Sequence, residues 1–130
     1  MLGAGNIAHS FVKDFPLMQN AELIAVAASD TARARDFAAL YNISRALCYD
    51  ELYNSDEIDA VYISTTHNFH FEQSLKCLQN GKAVLCEKPI TVNDIQFKKL
   101  KLYQRKKCFL NGSYVDTFFT IHKESKAMER

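Results

Sequence analysis

Short apolar runs alternate with amphipathic segments along most of the chain. Three runs rich in Val, Ile and Ala occupy residues 22–29, 59–65 and 82–87. Nearly continuous apolar runs of this kind are typical of parallel strands that are covered on both faces. The segments around them carry apolar residues at helical spacing, which predicts helices over 7–15, 31–41 and 70–81. Helices and strands therefore alternate along the chain.

The alternation continues beyond the third run. Asn80-Gly81 is a helix stop signal, and Asn93 is a suitable cap for a further helix over about 92–107. Residues 108–112 supply one more short strand. This order predicts right-handed βαβ units, and hence an α/β fold with a Rossmann-type, doubly wound parallel sheet. Because only two residues precede the first glycine, the first strand, normally central in such a sheet, is predicted to be trimmed.

Charge and cysteine content exclude several classes of partner. Sixteen basic and fifteen acidic side chains give a formal net charge of +1, so no overall field favours nucleic acid or an anionic membrane. Four cysteines stand far apart without metal-ligand spacing, which predicts reduced thiols and no metal site: Cys48, Cys77, Cys86 and Cys108. No run approaches the ~20 apolar residues of a membrane span, and the N-terminus lacks the features of a signal peptide. A cytoplasmic protein is expected.

The first glycines fit a phosphate-binding pattern. Residues 3–8, Gly-Ala-Gly-Asn-Ile-Ala, match G-x-G-x-x-[GA] and lead into a predicted helix. In such a loop Gly3 allows the tight turn, Gly5 lets the backbone approach a pyrophosphate, and Ala8 lets the helix pack closely on a strand. The helix N-terminus offers N–H groups and a positive dipole to the phosphates. A dinucleotide site is predicted, with an ordinary strand-to-helix turn as the alternative.

The end of the 22–29 run bears on the choice of dinucleotide. Sites of this kind carry an acid there for a ribose 2′-hydroxyl, or an arginine for a 2′-phosphate. This chain has Ser29 and Asp30, with Arg33 one helical turn further on. Ser29 and Arg33 can both bind a phosphate, which slightly favours NADP over NAD. Asp30 is alternatively the cap of the next helix, and Arg33 a solvated surface charge.

A second group of motifs lies in residues 62–93. A strand that ends at Thr65, a His-Asn-x-His loop and a strand that ends in Glu-Lys-Pro occur there together. In this combination the chain resembles the N-terminal domain of the Gfo/Idh/MocA oxidoreductases, and most of all their dimeric dihydrodiol dehydrogenase branch. The resemblance spans about residues 2–110. It implies NAD(P) as cofactor and, in intact relatives, hydride transfer between NAD(P) and an alcohol, diol or sugar-like hydroxyl.

The resemblance also assigns roles to individual residues. It places the pyrophosphate at the glycine loop, against Gly3, Gly5, Asn6 and Ile7. It places the nicotinamide half against residues that follow two later strands, namely Thr65, Asn68, His70 and Glu87. Lys88 would be the catalytic lysine, since a cation at the carboxyl end of a strand stabilises the alkoxide that develops as a hydroxyl loses hydride. The alternatives are a Glu-Lys surface pair and ordinary loop histidines. His9 and His122 belong to no such group and are predicted at the surface.

The resemblance weakens toward the C-terminus. Family members carry a second, substrate-binding domain, and residues 111–120 lack the Glu, Trp, Arg and Pro that the dihydrodiol dehydrogenase branch has there. We therefore expect an NAD(P)-binding Rossmann domain over 1–112, and a remnant of the connection to a missing substrate domain over 113–130. A small hydroxylated or carbonyl substrate is expected only where a second domain is supplied, so enzymatic activity is left open. The alternative is a non-catalytic remnant or a cofactor-responsive interaction module.

Overall fold

The computed structural model describes residues 1–87, 91–104 and 110–111. Within these ranges the strands are β1 (Ala25–Ala27), β2 (Arg45–Leu47), β3 (Ala60–Ile63), β4 (Ala83–Cys86) and β5 (Leu110–Asn111). The α-helices are α1 (Asn6–Asp14), α2 (Thr31–Tyr41), α3 (Tyr49–Asn54), α4 (His70–Gln79) and α5 (Asp94–Gln104). In this described part of the chain, no helix is long and apolar enough to cross a membrane.

The N-terminal residues join two groups of strands into one sheet. β1 pairs with β2, and β3, β4 and β5 pair in that order, all in parallel. Leu2 forms parallel bridges to Ala27 of β1 and Ile63 of β3. The N–H of Leu2 donates to the Tyr62 carbonyl at 2.8 Å, and the N–H of Ser64 donates to the Leu2 carbonyl at 2.9 Å. The predicted trimmed first strand is confirmed, because this short segment occupies the centre of the order β2-β1-Leu2-β3-β4-β5.

Helices cover both faces of the sheet. On one face, Ala8 of α1 and Phe37 of α2 share a buried cluster with Val26 of β1. On the other face, Cys77 of α4 and Leu100 of α5 pack in a second cluster with residues of β3 and β4. Every residue of β1 and of β4 is buried. These strands read as continuous apolar runs because both of their faces are covered, which confirms the doubly wound α/β fold.

Several helix ends follow the local signals in the sequence. The Asp30 side chain accepts a hydrogen bond from the N–H of Ala32 at 2.9 Å and caps α2. Asn93 caps α5 in the same way, since its Oδ1 accepts from the N–H of Gln96 at 2.9 Å. Gly81 follows α4 with φ at 75°, in the left-handed region that favours glycine.

The segment over 42–58 holds two elements that the apolar pattern does not predict. β2 is three residues long, and its first two residues are only partly buried. α3 is a helix of six residues that begins after Cys48, whose N–H donates to Oε2 of Glu51 at 2.8 Å. Neither element is long enough to display a periodicity of its own. Their position is set by pairing with β1 and by packing, which the sequence does not display.

Two cysteines lie deep in the domain. Cys77 and Cys86 are buried free thiols, and Cys48 is a free thiol that is half-buried. Burial raises the pKa of the Cys77 thiol to about 12, and it raises the pKa of the Cys86 thiol to the same value. Both side chains therefore stay protonated and act as small apolar core residues. Cys108 lies outside the described residues.

His9 departs from its predicted place at the surface. Its ring is half-buried and lies 4.8 Å from the ring of Phe37 between centroids. Its Nδ1 is 2.5 Å from the Tyr41 hydroxyl oxygen. The prediction of a surface residue is wrong, because the side of α1 that faces α2 carries this histidine. His122 lies outside the described residues.

Candidate functional site

One edge of the sheet collects the loops that carry the predicted site residues. All the strands are parallel, so the segments that follow β1, β3 and β4 emerge at the same edge, which we call the carboxyl edge. Gly3 follows the central residue Leu2 and emerges at this edge as well. In open α/β sheets, ligands bind in the crevice outside this edge.

Gly3 occupies a position that only glycine fits. Its φ is +105°, a conformation that residues with a side chain rarely adopt. A Cβ placed there would lie 2.9 Å from the Ser64 hydroxyl oxygen and 3.0 Å from the Ser64 carbonyl carbon. The N–H of Gly3 donates to the Ala27 carbonyl at 2.8 Å. Gly3 is therefore required by the protein itself, as the turn between the central segment and α1.

Replacing Gly3 with alanine is expected to lower the free energy of unfolding by about 2 to 4 kcal/mol. The backbone would keep a strained φ, and the new methyl group would press on the Ser64 backbone, which cannot yield as a flexible side chain could. Urea unfolding followed by circular dichroism measures this loss. Gly5→Ala is the matched control with the same chemical change, and equal stability of the two variants would contradict the expectation.

Gly5 differs from Gly3 in that the protein does not require a glycine there. Its φ is −94°, and apart from its two chain neighbours no atom of the described residues lies within 4 Å of the position that its Cβ would take. Gly5 is the N-cap of α1, and no side chain in the described part of the chain caps this helix end. Asn6 and Ile7 begin α1, and both side chains are exposed. The helix N-terminus thus has open space before it and N–H groups without a capping side chain, an arrangement that fits a pyrophosphate.

The segment after β1 presents Ser29 and Arg33. Both side chains are exposed, and Arg33 lies in the first turn of α2. The alternative that Asp30 caps α2 is confirmed by the hydrogen bond to Ala32. An exposed hydroxyl and an exposed guanidinium flank this cap, and both groups are donors that suit a phosphate.

The loop between β3 and α4 is held by a small polar network. The Thr65 hydroxyl donates to Oε1 of Gln73 at 2.5 Å, and Nε2 of His70 lies 2.8 Å from the Thr65 carbonyl oxygen. His70 is 2% exposed and Gln73 is 5% exposed. Asn68 lies in the 3-10 turn of the same loop and is exposed. Thr65, His70 and Gln73 are brought together, with Asn68 exposed, Thr65 half-buried and His70 buried.

Glu87 is the last described residue before a gap and lies directly after β4. Its N–H donates to the Ile63 carbonyl at 3.0 Å, and its carboxylate accepts a hydrogen bond from the Tyr62 hydroxyl. The side chain is half-buried at the carboxyl edge. Lys88, the predicted catalytic residue, lies outside the described residues, and so does Pro89.

Three residues of this edge are not identified by any pattern in the sequence. Ser64 sets the limit on Gly3, Gln73 holds Thr65, and Tyr62 holds Glu87. None of them belongs to a recurrent motif, and Tyr62 reads as one more apolar strand residue. The contact of Tyr62 with Glu87 becomes visible only from the strand pairing. This pairing aligns β3 with β4 and brings the Tyr62 side chain near the residue that follows β4.

A family model and individual relatives match the chain. The model of the Gfo/Idh/MocA family, described as an oxidoreductase family with an NAD-binding Rossmann fold, matches residues 1–111. A trans-1,2-dihydrobenzene-1,2-diol dehydrogenase from Xenopus laevis is 36% identical over 129 residues, which cover 95% of this chain and 39% of that protein. An NADP-dependent D-xylose 1-dehydrogenase from Hypocrea jecorina is 34% identical over 137 residues, covering 93% of this chain and 34% of that protein.

A solved structure agrees with these sequence relatives. A 3-ketoreductase from Actinomadura kijaniata, in complex with NADP and TDP-benzene, superposes with a TM-score of 0.76 at 28% identity. The match covers 82% of this chain and 33% of the ketoreductase. The chain thus spans less than two fifths of the length of each of these three relatives.

Proposed function

Because the chain belongs to the Gfo/Idh/MocA oxidoreductase family and its NAD-binding Rossmann fold, we propose that it binds a nicotinamide dinucleotide along the carboxyl edge, with the pyrophosphate before α1. The observation that carries this proposal is the contrast between the two glycines. Gly3 is required by the fold, whereas the space at Gly5 serves no contact within the described protein. Gly5 lets phosphate oxygens approach the N–H groups of Asn6 and Ile7, with the positive end of the α1 dipole behind them.

We propose NADP rather than NAD as the preferred dinucleotide. The exposed Ser29 hydroxyl and Arg33 guanidinium would bind the 2′-phosphate, since Asp30 already serves as the cap of α2. The solved relative in complex with NADP and the NADP-dependent relative support the same preference.

The nicotinamide half would lie against the loop after β3 and the end of β4. Thr65 and Asn68 would contact it from the loop, with His70 holding the loop from below, and Glu87 would accept a hydrogen bond from it. When bound, the dinucleotide supplies a hydride donor or acceptor. Lys88, which directly follows Glu87, would place its ammonium group against a substrate oxygen and stabilise the negative charge that develops there.

The reaction proposed for the whole enzyme is oxidation of an alcohol, diol or sugar-like hydroxyl, or the reverse reduction of a carbonyl. The relatives named above act on a diol, a sugar and a ketone according to their names.

We assign residues 1–112 to dinucleotide binding and 113–130 to the connection toward a substrate domain. The 130-residue chain alone would bind the cofactor without substantial turnover, because substrate positioning can contribute ~7–11 kcal/mol to catalysis. A non-catalytic, cofactor-responsive module is the second candidate.

Titration of the chain with NADPH and with NADH by calorimetry tests the dinucleotide site. Saturable binding of NADPH, tighter than that of NADH, is expected. Arg33→Ala should weaken NADPH binding about tenfold to a hundredfold, since a hydrogen bond to a charged group contributes ~1.5–3 kcal/mol. NADH binding should change by less than about twofold. Arg35→Ala, which removes an exposed arginine further along α2, is the matched control. An equal loss for both dinucleotides, or no loss, would contradict the 2′-phosphate assignment.

A further inference from the structure

Tyr62 and Glu87 form a polar pair at the carboxyl edge. Tyr62 lies in β3 and is 9% exposed, and its hydroxyl donates a hydrogen bond to Oε1 of Glu87. The backbone N–H of Glu87 donates to the Ile63 carbonyl at 3.0 Å. Both the main chain and the side chain of Glu87 are therefore anchored to β3, the neighbouring strand.

The ring of Tyr62 is itself fixed. It stacks on the ring of Phe11 from α1, with 3.8 Å between centroids and 12° between planes. Burial, together with the Glu87 carboxylate, raises the pKa of the Tyr62 phenol well above its usual range. The phenol therefore keeps its proton at ordinary pH and is the donor in this pair. α1, which begins at the glycine loop, thus supports the residue that holds Glu87.

We propose that Tyr62 is a positioning residue that fixes the Glu87 carboxylate so that its second oxygen accepts a hydrogen bond from the nicotinamide half of the dinucleotide. Among the described residues, Tyr62 is the one side chain that bonds this carboxylate. An acceptor already held in place loses less rotational freedom on binding than a free one, so the pair favours affinity as well as orientation.

The charge of Glu87 selects which part of the ligand it contacts. A carboxylate only accepts hydrogen bonds, and it repels a phosphate at close range. The donors that a dinucleotide offers to it are ribose hydroxyls, the adenine amino group and the carboxamide N–H groups. Glu87 follows β4, whereas Ser29 and Arg33 follow β1. In the sheet, β4 and β1 lie on opposite sides of the central segment at Leu2. These positions assign Glu87 to the nicotinamide ribose or carboxamide, an assignment that rests on the proposed function.

The test compares a whole dinucleotide with its adenosine half. Tyr62→Phe keeps the ring and its stacking on Phe11, and removes only the hydroxyl. Calorimetry on the 130-residue chain should show about tenfold weaker binding of NADPH to this variant, because the Glu87 side chain would then lose its rotational freedom on binding. Binding of adenosine 2′,5′-bisphosphate, which lacks the nicotinamide half, should change by less than about twofold. A purely structural role would weaken both ligands alike.

A double-mutant cycle tests whether Tyr62 acts through Glu87. Glu87→Ala should weaken NADPH binding, and adding Tyr62→Phe should cause little further loss, because no carboxylate remains for Tyr62 to position. If the losses of NADPH affinity of the two single variants multiply in the double variant, the proposal is overturned. Tyr53→Phe, which removes a hydroxyl from another buried tyrosine on α3, is the matched control and should leave both affinities unchanged.

The outcomes separate this proposal from the proposed function. If the unaltered chain binds neither NADPH nor NADH, the proposed function fails and the role of Tyr62 fails with it. If the unaltered chain binds NADPH and Tyr62→Phe binds it equally well, or loses both ligands equally, only the role of Tyr62 is overturned. Thermal unfolding of each variant confirms that the compared chains are folded.

Discussion

Replacing Gly5 with valine is expected to weaken NADPH binding by about a hundredfold or more while the domain stays folded. The valine side chain would fill the space before α1, and phosphate oxygens would lose their approach to the first N–H groups of the helix. Two lost charge-assisted hydrogen bonds at ~1.5–3 kcal/mol each account for a loss of this size. Calorimetric titration of the variant measures it.

Stability of the Gly5→Val variant should fall by only about 1 kcal/mol, which is the cost of a poorer N-cap residue. The φ of Gly5, −94°, suits any residue, and within residues 1–87, 91–104 and 110–111 no atom beyond its two chain neighbours lies within 4 Å of the new Cβ. Gly81→Ala is the matched control, because Gly81 has a φ of 75° and precedes β4, at the opposite edge of the sheet. It should destabilise the chain and leave the affinity for NADPH unchanged. Unaltered NADPH affinity in folded Gly5→Val would place the pyrophosphate elsewhere.

The stability of a chain that begins at Met1 is expected to fall by about 4 kcal/mol between pH 8.5 and pH 4.5. The Met1 amino group is buried and donates to the Ala25 carbonyl at 2.7 Å. Burial lowers the pKa of this amine from 8.0 to about 5. In the folded state the amine is therefore neutral at pH 7, whereas in the unfolded state it is largely protonated.

The sign of the effect follows from proton binding. Between about pH 5 and pH 8 the unfolded chain binds more protons at this group, so stability rises with pH across this window and levels off above it. A drop of about 3 pKa units corresponds to about 4 kcal/mol in total. Urea unfolding at closely spaced pH values measures the slope. N-terminal acetylation removes this titration, so the acetylated chain should show a flatter profile, and equal slopes would contradict the assignment.

Local signals in the sequence predicted the parts of the site that depend on a few neighbouring residues. The glycine pattern identified Gly3, whose φ and contact with Ser64 leave no room for a side chain. Ala8 was expected to allow close packing of α1, and it is completely buried. The capping role of Asp30 was open between two alternatives, and the hydrogen bond to Ala32 decides it. Each of these features depends either on residues within one helical turn or on one close contact between two segments.

The polar pairs that support the site could not be predicted in this way. Tyr62 meets Glu87, and Thr65 meets Gln73, only after β3, β4 and α4 have taken their register. The sequence displays apolar runs for β3 and β4, but a run that is buried on both faces does not reveal which side chain points to which face. β2 and α3 were missed for a related reason, since tertiary pairing rather than local pattern defines such short elements.

The short central segment also sets the order in which the domain can fold. Leu2 accepts a hydrogen bond from Ser64, 62 residues further on, and Met1 bonds Ala25, 24 residues further on. During synthesis at about 5–20 residues per second, Leu2 is made several seconds before Ser64. Closing so long a loop costs entropy that local helices do not have to overcome. The pairing of Leu2 at the centre of the sheet therefore forms only once β3 is available, whereas α1 and α2 can form from local contacts alone.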